Sequence, residues 1–410
     1  MKTANRSIIG VTLVTLLSFI VATPADADHS RVDQAALVSA NSGFAFDLYQ
    51  HLCKTEGNLF FSPYSVSTAL AMTYAGARAE TAAQMADVMH FEFEPARLHA
   101  AFGELIESSR SSPTDSACRL DVANALWGQQ NIDFLEDFIN LTGRHYGAGL
   151  REVDFANDPQ SARKIINEWI ARETEQMIPE LLRAGDINRL TELVLTNAIY
   201  FKGDWATRFD EEATGDGTFV AAENTPLTVP MMHGTGAFRV TSTDTLDVLE
   251  LPYASDRLAM MIILPKAVDG LADAETLLTR TNLDQWTAQL SEQTLQVSIP
   301  RFRLGWRQDL GPTLVQMGMA DAFDETKADF SGMTGRRALE GRGRLYIAAV
   351  IHQAEIAVDE QGAEASAATA VVMKKRSAPA RFVADHPFAF LIRDRQTGSI
   401  LFLGRVVDPR

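Results

Sequence analysis

The sequence holds one concentrated patch of positive charge, Lys374-Lys375-Arg376, followed by Ser377 and Pro379. It stands on an acidic chain of 410 residues, with 37 Lys plus Arg against 53 Asp plus Glu and a formal net charge of −16. Two chemistries suit such a patch. It is either a solvated basic turn or bait for a protease whose primary pocket holds a buried carboxylate, which a guanidinium satisfies bidentately. Residues that would make the chain itself a catalyst are absent in their usual spacings: there is no H-E-x-x-H, no G-x-S-x-G, no G-x-x-x-x-G-K-[ST] and no C-x-x-C. Ser161-Ala162-Arg163-Lys164 matches S-x-x-K but lacks the companion S-D-N and K-T-G elements, and reads as the surface of a helix. The eight histidines show no pair at metal-ligand spacing, so neither a metal nor a cofactor is expected. The acidic balance argues against a nucleic acid or an anionic membrane as partner, since both need a basic footprint.

The residues before the basic patch break the pattern of the chain. A strand-like run ends at Asp359-Glu360 and Gly362, and small residues follow from Ala363 to Ala370. An Ala-rich run is helix-prone by propensity, and a short surface helix is one reading. A period of two gives another. Ala363, Ala365, Ala367, Thr369, Val371 and Met373 form a compact, mostly apolar set, whereas Glu364, Ser366, Ala368, Ala370, Val372 and Lys374 carry charge at both ends. The segment can therefore enter a sheet as a central strand or stand exposed as a loop, which makes it a candidate bistable element.

The elements that must position this segment follow from local signals. Ser62-Pro63 is an N-cap with proline at the first helical position, ahead of the apolar Val66–Ala77. Thr81-Ala82-Ala83-Gln84 has capping-box spacing, and Asp158-Pro159 opens a helix that carries Ile165, Ile166, Trp169 and Ile170 on one face. From about Thr191 the texture changes to short apolar or alternating runs: Leu193–Phe201, Leu246–Leu251, Leu258–Leu264, Leu295–Phe302, Leu345–Val358 and Phe388–Ile392. Helical stretches near Leu271–Leu290 and Gln308–Met319 interrupt them. Helices first and strands later describe an α+β class, and the lack of a linker or repeat favours one domain.

At the N-terminus, Lys2 and Arg6 precede the apolar Ile8–Ala22 and an Ala25-Asp26-Ala27 site. That run falls short of the roughly 20 residues of a membrane span. The pattern predicts a signal peptide over residues 1–27, a mature domain over 28–410 and a secreted or periplasmic protein. Export would leave Cys53 and Cys118 as either one disulfide or two buried thiols.

Five blocks stand out along the chain: Asn58-Leu59-Phe60-Phe61-Ser62-Pro63-Tyr64-Ser65, Thr196-Asn197-Ala198-Ile199-Tyr200-Phe201-Lys202-Gly203-Asp204-Trp205, Glu360-Gln361-Gly362-Ala363-Glu364-Ala365-Ser366-Ala367-Ala368-Thr369, Asp385-His386-Pro387-Phe388, and Phe402-Leu403-Gly404-Arg405-Val406-Val407-Asp408-Pro409. Together they resemble the serpins, the serine protease inhibitor superfamily, with the third block as the hinge. They occur in the family's order from about Asn41 to Pro409. The resemblance implies three β-sheets wrapped by eight or nine helices, with an exposed reactive loop at about residues 360–382.

It also implies a non-enzymatic, suicide-substrate mechanism against a trypsin-like serine protease. Counting from the hinge Glu as in inhibitory members places the scissile bond at Arg376-Ser377, with Lys374 and Lys375 contributing to specificity. The acyl-enzyme would be trapped as the loop inserts into the main sheet. Ser62, Ser65, Asn197 and His352 match the polar cluster beneath the sheet that opens; Trp205, Arg301 and Glu360 match the top of that sheet, with Arg301–Glu360 as an ion pair. Ala363 stands where Thr or Ser is usual, and Ser366 replaces a common Ala. Neither Pro nor a bulky charge spoils the hinge. The implied protein is a monomer able to form loop–sheet polymers. Alternatives are a non-inhibitory serpin acting as a binding or carrier module, and an inhibitor of a subtilisin-like processing protease that prefers paired basic residues. No glycosaminoglycan cofactor is expected, because Pro95–Arg119 offers only Arg97, Arg110 and Arg119.

Overall fold

The computed structural model of the chain describes residues 24–92, 94–109, 118–147, 149–221, 224–337, 344–361 and 379–410, with side chains from residue 31 onward. Ten α-helices lie among these residues: Pro24–Leu52 (α1), Pro63–Tyr74 (α2), Ala79–Val88 (α3), Pro95–Ser109 (α4), Glu136–Tyr146 (α5), Pro159–Glu173 (α6), and the shorter Leu271–Thr276 (α7), Arg280–Gln289 (α8), Gly311–Met317 (α9) and Ser331–Thr334 (α10). A five-stranded sheet runs in the order Phe302–Asp309 (β10), Ala349–Val358 (β11), Leu193–Gly203 (β4), Cys118–Gln129 (β2) and Leu150–Val153 (β3). The second sheet has nine strands. Its order is Leu59–Phe61 (β1), Ile400–Val406 (β14), Phe388–Asp394 (β13), Leu258–Pro265 (β8), Leu246–Pro252 (β7), Thr225–Ser242 (β6), Ser291–Pro300 (β9) and Ala380–Val383 (β12), with Asp210–Ala221 (β5) also on β6.

The α+β class is as expected, but two of the three expected sheets are one hydrogen-bonded unit here. The 18-residue β6 joins them, because its first half pairs with β5 and its last residues pair with β7. Ten helices lie among the described residues, and the stretch expected near Leu271–Leu290 is two of them, broken at Leu277. A second helix starts there under the Thr279 cap, whose Oγ1 accepts from Asn282 N at 3.2 Å.

Local signals explain most starts. Ser62 caps α2, its Oγ accepting from Ser65 N at 3.1 Å, and Asp158 caps α6, its Oδ1 accepting from Ser161 N at 3.0 Å. The capping box at Thr81 does not form. Helix α3 starts two residues earlier, and the buried Thr81 hydroxyl accepts instead from Asp329 N at 3.0 Å. On α6 the buried face holds Ile166, Trp169 and Ile170, whereas Ile165 is exposed.

The five-stranded sheet is covered on both sides, which accounts for the near-continuous apolar sequence of β4. Helix α6 covers one face through Ile166, Trp169 and Ile170 against Trp127, Val194, Ala198 and Ile351. Helix α2 lies on the other face, buried between the two sheets. At Gly404 a Cβ would stand 2.3 Å from Leu59 O, so the close approach of β14 to β1 requires glycine there. Helix α1 is continuous from Pro24 through the cleavage point expected after Ala27.

Candidate functional site

The centre of the five-stranded sheet holds the features that the sequence singled out. Strands β4 and β11 run parallel and pair directly from Val194↔Ala349 to Phe201↔Ile356, so no strand separates them. The register places His352 opposite Asn197, and the antiparallel β4–β2 ladder places Asn197 opposite Asn124. One row of polar side chains therefore crosses β11, β4 and β2. Under it lies the N-terminus of α2.

These buried groups satisfy one another in a directed chain. Ser62 N can only donate, and it reaches His352 Nε2 at 3.1 Å, so the imidazole proton sits on Nδ1 and is donated to Asn197 Oδ1. Asn197 Nδ2 donates to Ser65 Oγ at 2.6 Å and also to Asn124 Oδ1. Ser65 Oγ donates to Asn124 Oδ1 at 2.7 Å, and Asn124 Nδ2 returns a bond to Ser65 O at 3.2 Å. Ser62 Oγ donates to Leu401 O at 2.6 Å, tying the network to the second sheet. Complete burial disfavours imidazolium and lowers the His352 pKa to about 3, so the ring is neutral and its tautomer is fixed. A network this closed pins α2, β2, β4 and β11 together, and opening the sheet must break it.

Above this row, where β11 ends, a second set of contacts holds the chain leading to the basic patch. Trp205 Nε1 donates to Asp359 O at 2.9 Å, and Phe209 N donates to Glu360 O at 3.2 Å. The Trp205 ring stacks on Tyr253 at 4.6 Å between centroids, and Gly203 leaves the room: a Cβ there would lie 2.8 Å from Tyr253. Arg301 Nη1 stands 3.5 Å from Glu360 Oε1. The Glu360 side chain is buried while Arg301 is half exposed, and both line a cleft of about 340 Å³. Burial raises the pKa of Asp204, the residue before Trp205.

The structure thus brings Ser62, Ser65, Asn197 and His352 into one cluster, and Trp205, Arg301 and Glu360 into another. Gly362 to Thr369 of the hinge, and Lys374, Lys375, Arg376 and Ser377, lie outside the described residues. Cys53 and Cys118 are thiols, not a disulfide. Cys53 Sγ points back to Gln50 O at the end of α1, and Cys118, at the start of β2, has Ser255 Oγ as its neighbour. Two participants were missed by sequence reasoning, Asn124 and Tyr253. Asn124 is a lone polar residue in an apolar run, Ala123-Asn124-Ala125-Leu126-Trp127, and that break was the available signal. Among the described residues, no three His, Cys, Asp or Glu side chains converge as a metal would need.

Comparison with known proteins is consistent with this geometry. The family model described as Serpin (serine protease inhibitor) matches residues 39–409. The chain is 41% identical to human serpin B8 over 381 residues, covering 91% of this chain and 99% of that protein. It is 39% identical to the human leukocyte elastase inhibitor over 389 residues, with the same coverage. The crystal structure of uncleaved ovalbumin superposes with a TM-score of 0.81 at 28% identity, covering 91% of this chain and all of that one. Serpin B8 and the leukocyte elastase inhibitor belong to an intracellular group of serpins, and this likeness overturns the expectation of a secreted protein with a signal peptide. With directly paired parallel strands, a closed polar cluster beneath them and a family match over nearly its whole length, the chain belongs to the serpin family of serine protease inhibitors.

Proposed function

We propose that this serpin inhibits trypsin-like serine proteases as a suicide substrate cleaved at Arg376-Ser377. The observation that carries the reading is the parallel β4–β11 pair, with the start of the loop fastened at its top. A segment that turned back after β11 would run antiparallel to β11, and hence antiparallel to β4 as well. Inserted between them, it replaces one parallel ladder by two antiparallel ones, the slightly stronger pairing per residue. The alternating set from Ala363 to Met373 is compact enough for the buried face. Protease attack on the Arg376 carbonyl would release that segment. Insertion would then carry the acylated enzyme away before water reaches the ester, so stored strain would become kinetic trapping.

Specificity follows from the residue before the bond. An elastase-type primary pocket is small and an Arg side chain is not; a pocket with a buried carboxylate accepts the guanidinium in two hydrogen bonds. Arg376 therefore separates this chain from the target named for the leukocyte elastase inhibitor. Ser62, Ser65, Asn197 and His352 would act as the latch that holds β4 and β11 closed, and Trp205, Arg301 and Glu360 as the point where insertion begins.

The test is a stoichiometric mixture with trypsin on a denaturing SDS gel, with Arg376→Ala alongside. A band at the summed mass, present only when Arg376 is intact, is the expected result. Cleavage at Arg376 with trypsin left active and no such band would move the chain to substrate behaviour, as a non-inhibitory binding module.

A further inference from the structure

Residues 174–192 join α6 to β4, and part of this stretch lies on the five-stranded sheet as a strap. Ile178, Leu181, Leu182 and Ile187 are buried in the same apolar cluster as Ile351 of β11. The polar anchor of the strap on the helix is Asn167, itself only 8% exposed. Asn167 Oδ1 accepts from Leu181 N at 3.1 Å and from Leu182 N at 2.8 Å, and its Nδ2 donates to Leu182 O at 2.8 Å. The anchor on the sheet is Arg307 of β10. Its Nε donates to Leu181 O at 2.6 Å, and its Nη2 pairs with the Asp186 carboxylate, which also accepts from Arg183 N at 2.6 Å. Leu181 is thus held through its N–H from α6 and through its C=O from β10, with no slack between the two.

Strand register decides what lies beneath. Arg307 stands opposite Gln353 on β11, and Gln353 stands opposite Ala198 on β4. Ala198 belongs to the cluster under α6, so Arg307 continues that row on the same face, two strands further out. The strap therefore crosses the seam where β4 and β11 meet, with one anchor on either side. A strand placed in that seam would carry β11 and β10 about 5 Å further from β4 and α6. Hydrogen bonds of 2.6 and 3.1 Å to one residue cannot both follow such a step. Burial decides which gives way. Asn167 and the apolar packing of α6 on the sheet are buried, whereas the Arg307–Asp186 pair sits at the rim, with side chains 14% and 21% exposed.

We propose that Arg307 is a clasp on the insertion path: it fastens the strap to β10 across the β4–β11 seam and must release Leu181 and Asp186 before the sheet opens. This rests on the insertion proposed above and adds to it a second restraint, on the face of the sheet opposite Asn197 and His352. Such a clasp stabilises the closed sheet and contributes nothing to the inserted one. An ordinary packing contact would stabilise both.

The experiment compares thermal midpoints of the intact chain and of chain cut by a trace of trypsin, heated in urea to keep both transitions in range. Arg307→Met keeps the aliphatic stem and removes every donor. Asp186→Asn removes the charge, leaves Arg307 on Leu181 O, and carries the comparison alone if Arg307→Met does not fold. Arg307→Met should lower the midpoint of the intact chain by about 2–4 °C and Asp186→Asn by about half as much, with each cut variant within roughly 1 °C of the cut parent. An equal drop in intact and cut chains would make Arg307 an ordinary structural contact, and no drop in either would leave it without a role. Both results overturn the clasp while a parent that gains stability on cutting keeps the insertion reading. A parent that gains none overturns the insertion, and the clasp with it.

Discussion

At the scale of single residues, the cluster under β4 and β11 shows how far types and spacing can lead. Ser62, Ser65 and Asn197 were legible because each lies within a block that resembles the family, and His352 because it matches the same polar cluster. Asn124 was not. Its role is fixed by strand register, a property of pairing between segments distant in sequence. Replacing it by Ala would leave Ser65 Oγ and Asn197 Nδ2 without their shared acceptor in a buried site, at a cost of about 2–3 kcal/mol. A thermal scan of Asn124→Ala should show the midpoint several degrees lower; an unchanged midpoint would mean that the row tolerates a gap. Protonation tests the same cluster differently. Burial lowers the pKa of His352 to about 3 and that of His99 to about 4, from an ordinary value of 6.5. Above pH 6.5 both states of the chain hold these rings neutral. As pH falls below that, the unfolded chain takes up protons which the folded chain refuses, so stability drops by up to about 1.4 kcal/mol per pH unit for each ring. Denaturation measured between pH 7 and pH 5 should show a shallower slope for His352→Gln than for the parent chain. Equal slopes would remove His352 from the account.

The element scale carries both the successes and the errors of sequence reading. Helices α2 and α6 announce themselves because Ser62-Pro63 and Asp158-Pro159 each satisfy a free backbone N–H and preset φ. Strand β2 does not. Its central Ala-Asn-Ala-Leu has weak strand propensity, and it is a strand because β4 and β3 supply its hydrogen bonds and α6 and α2 cover its faces. Thr81 failed as a cap because a tertiary partner, Asp329 N, outcompeted the local one. The junction where β11 meets the loop is likewise tertiary: Trp205, on the far side of β4's end, holds Asp359 through one hydrogen bond while its ring rests on Tyr253. Trp205→Phe would keep the stacking and delete the bond. If that bond restrains premature entry of the hinge, its loss should speed conversion to an inactive or polymeric form at elevated temperature by roughly three- to tenfold. Residual trypsin inhibition followed over time at 45 °C, with native gels for polymers, measures it. Decay at the parental rate would show that Arg301–Glu360 and the Phe209–Glu360 bond suffice to hold the hinge.

At the scale of the whole molecule, the decisive feature is the strand order of the five-stranded sheet. If the segment after β11 can insert as proposed, the parallel pair at the centre of this sheet is not the most complete pairing open to the chain. The segment from Ala363 to Met373 alternates as a sheet strand should, and the central position is open to it only if β4 and β11 part. On the proposed mechanism, cleavage at Arg376 would remove the tether that keeps it out. Insertion of about ten residues would add on the order of ten net hydrogen bonds at about 1 kcal/mol each, beside the apolar face it buries. Spread over a chain of this size, that corresponds to a rise in the thermal midpoint of roughly 10 °C or more. The comparison is of intact chain with chain cut by a catalytic trace of trypsin, followed by circular dichroism on heating. Ala367→Arg is the control, because a guanidinium on the set that must face the core blocks burial while leaving the Arg376 bond available. The variant should be cut at the parental rate, gain little thermal stability, and release active trypsin instead of retaining it. A parental chain that gains no stability on cleavage would leave the parallel pair as its final state, and the trap would have no source of energy.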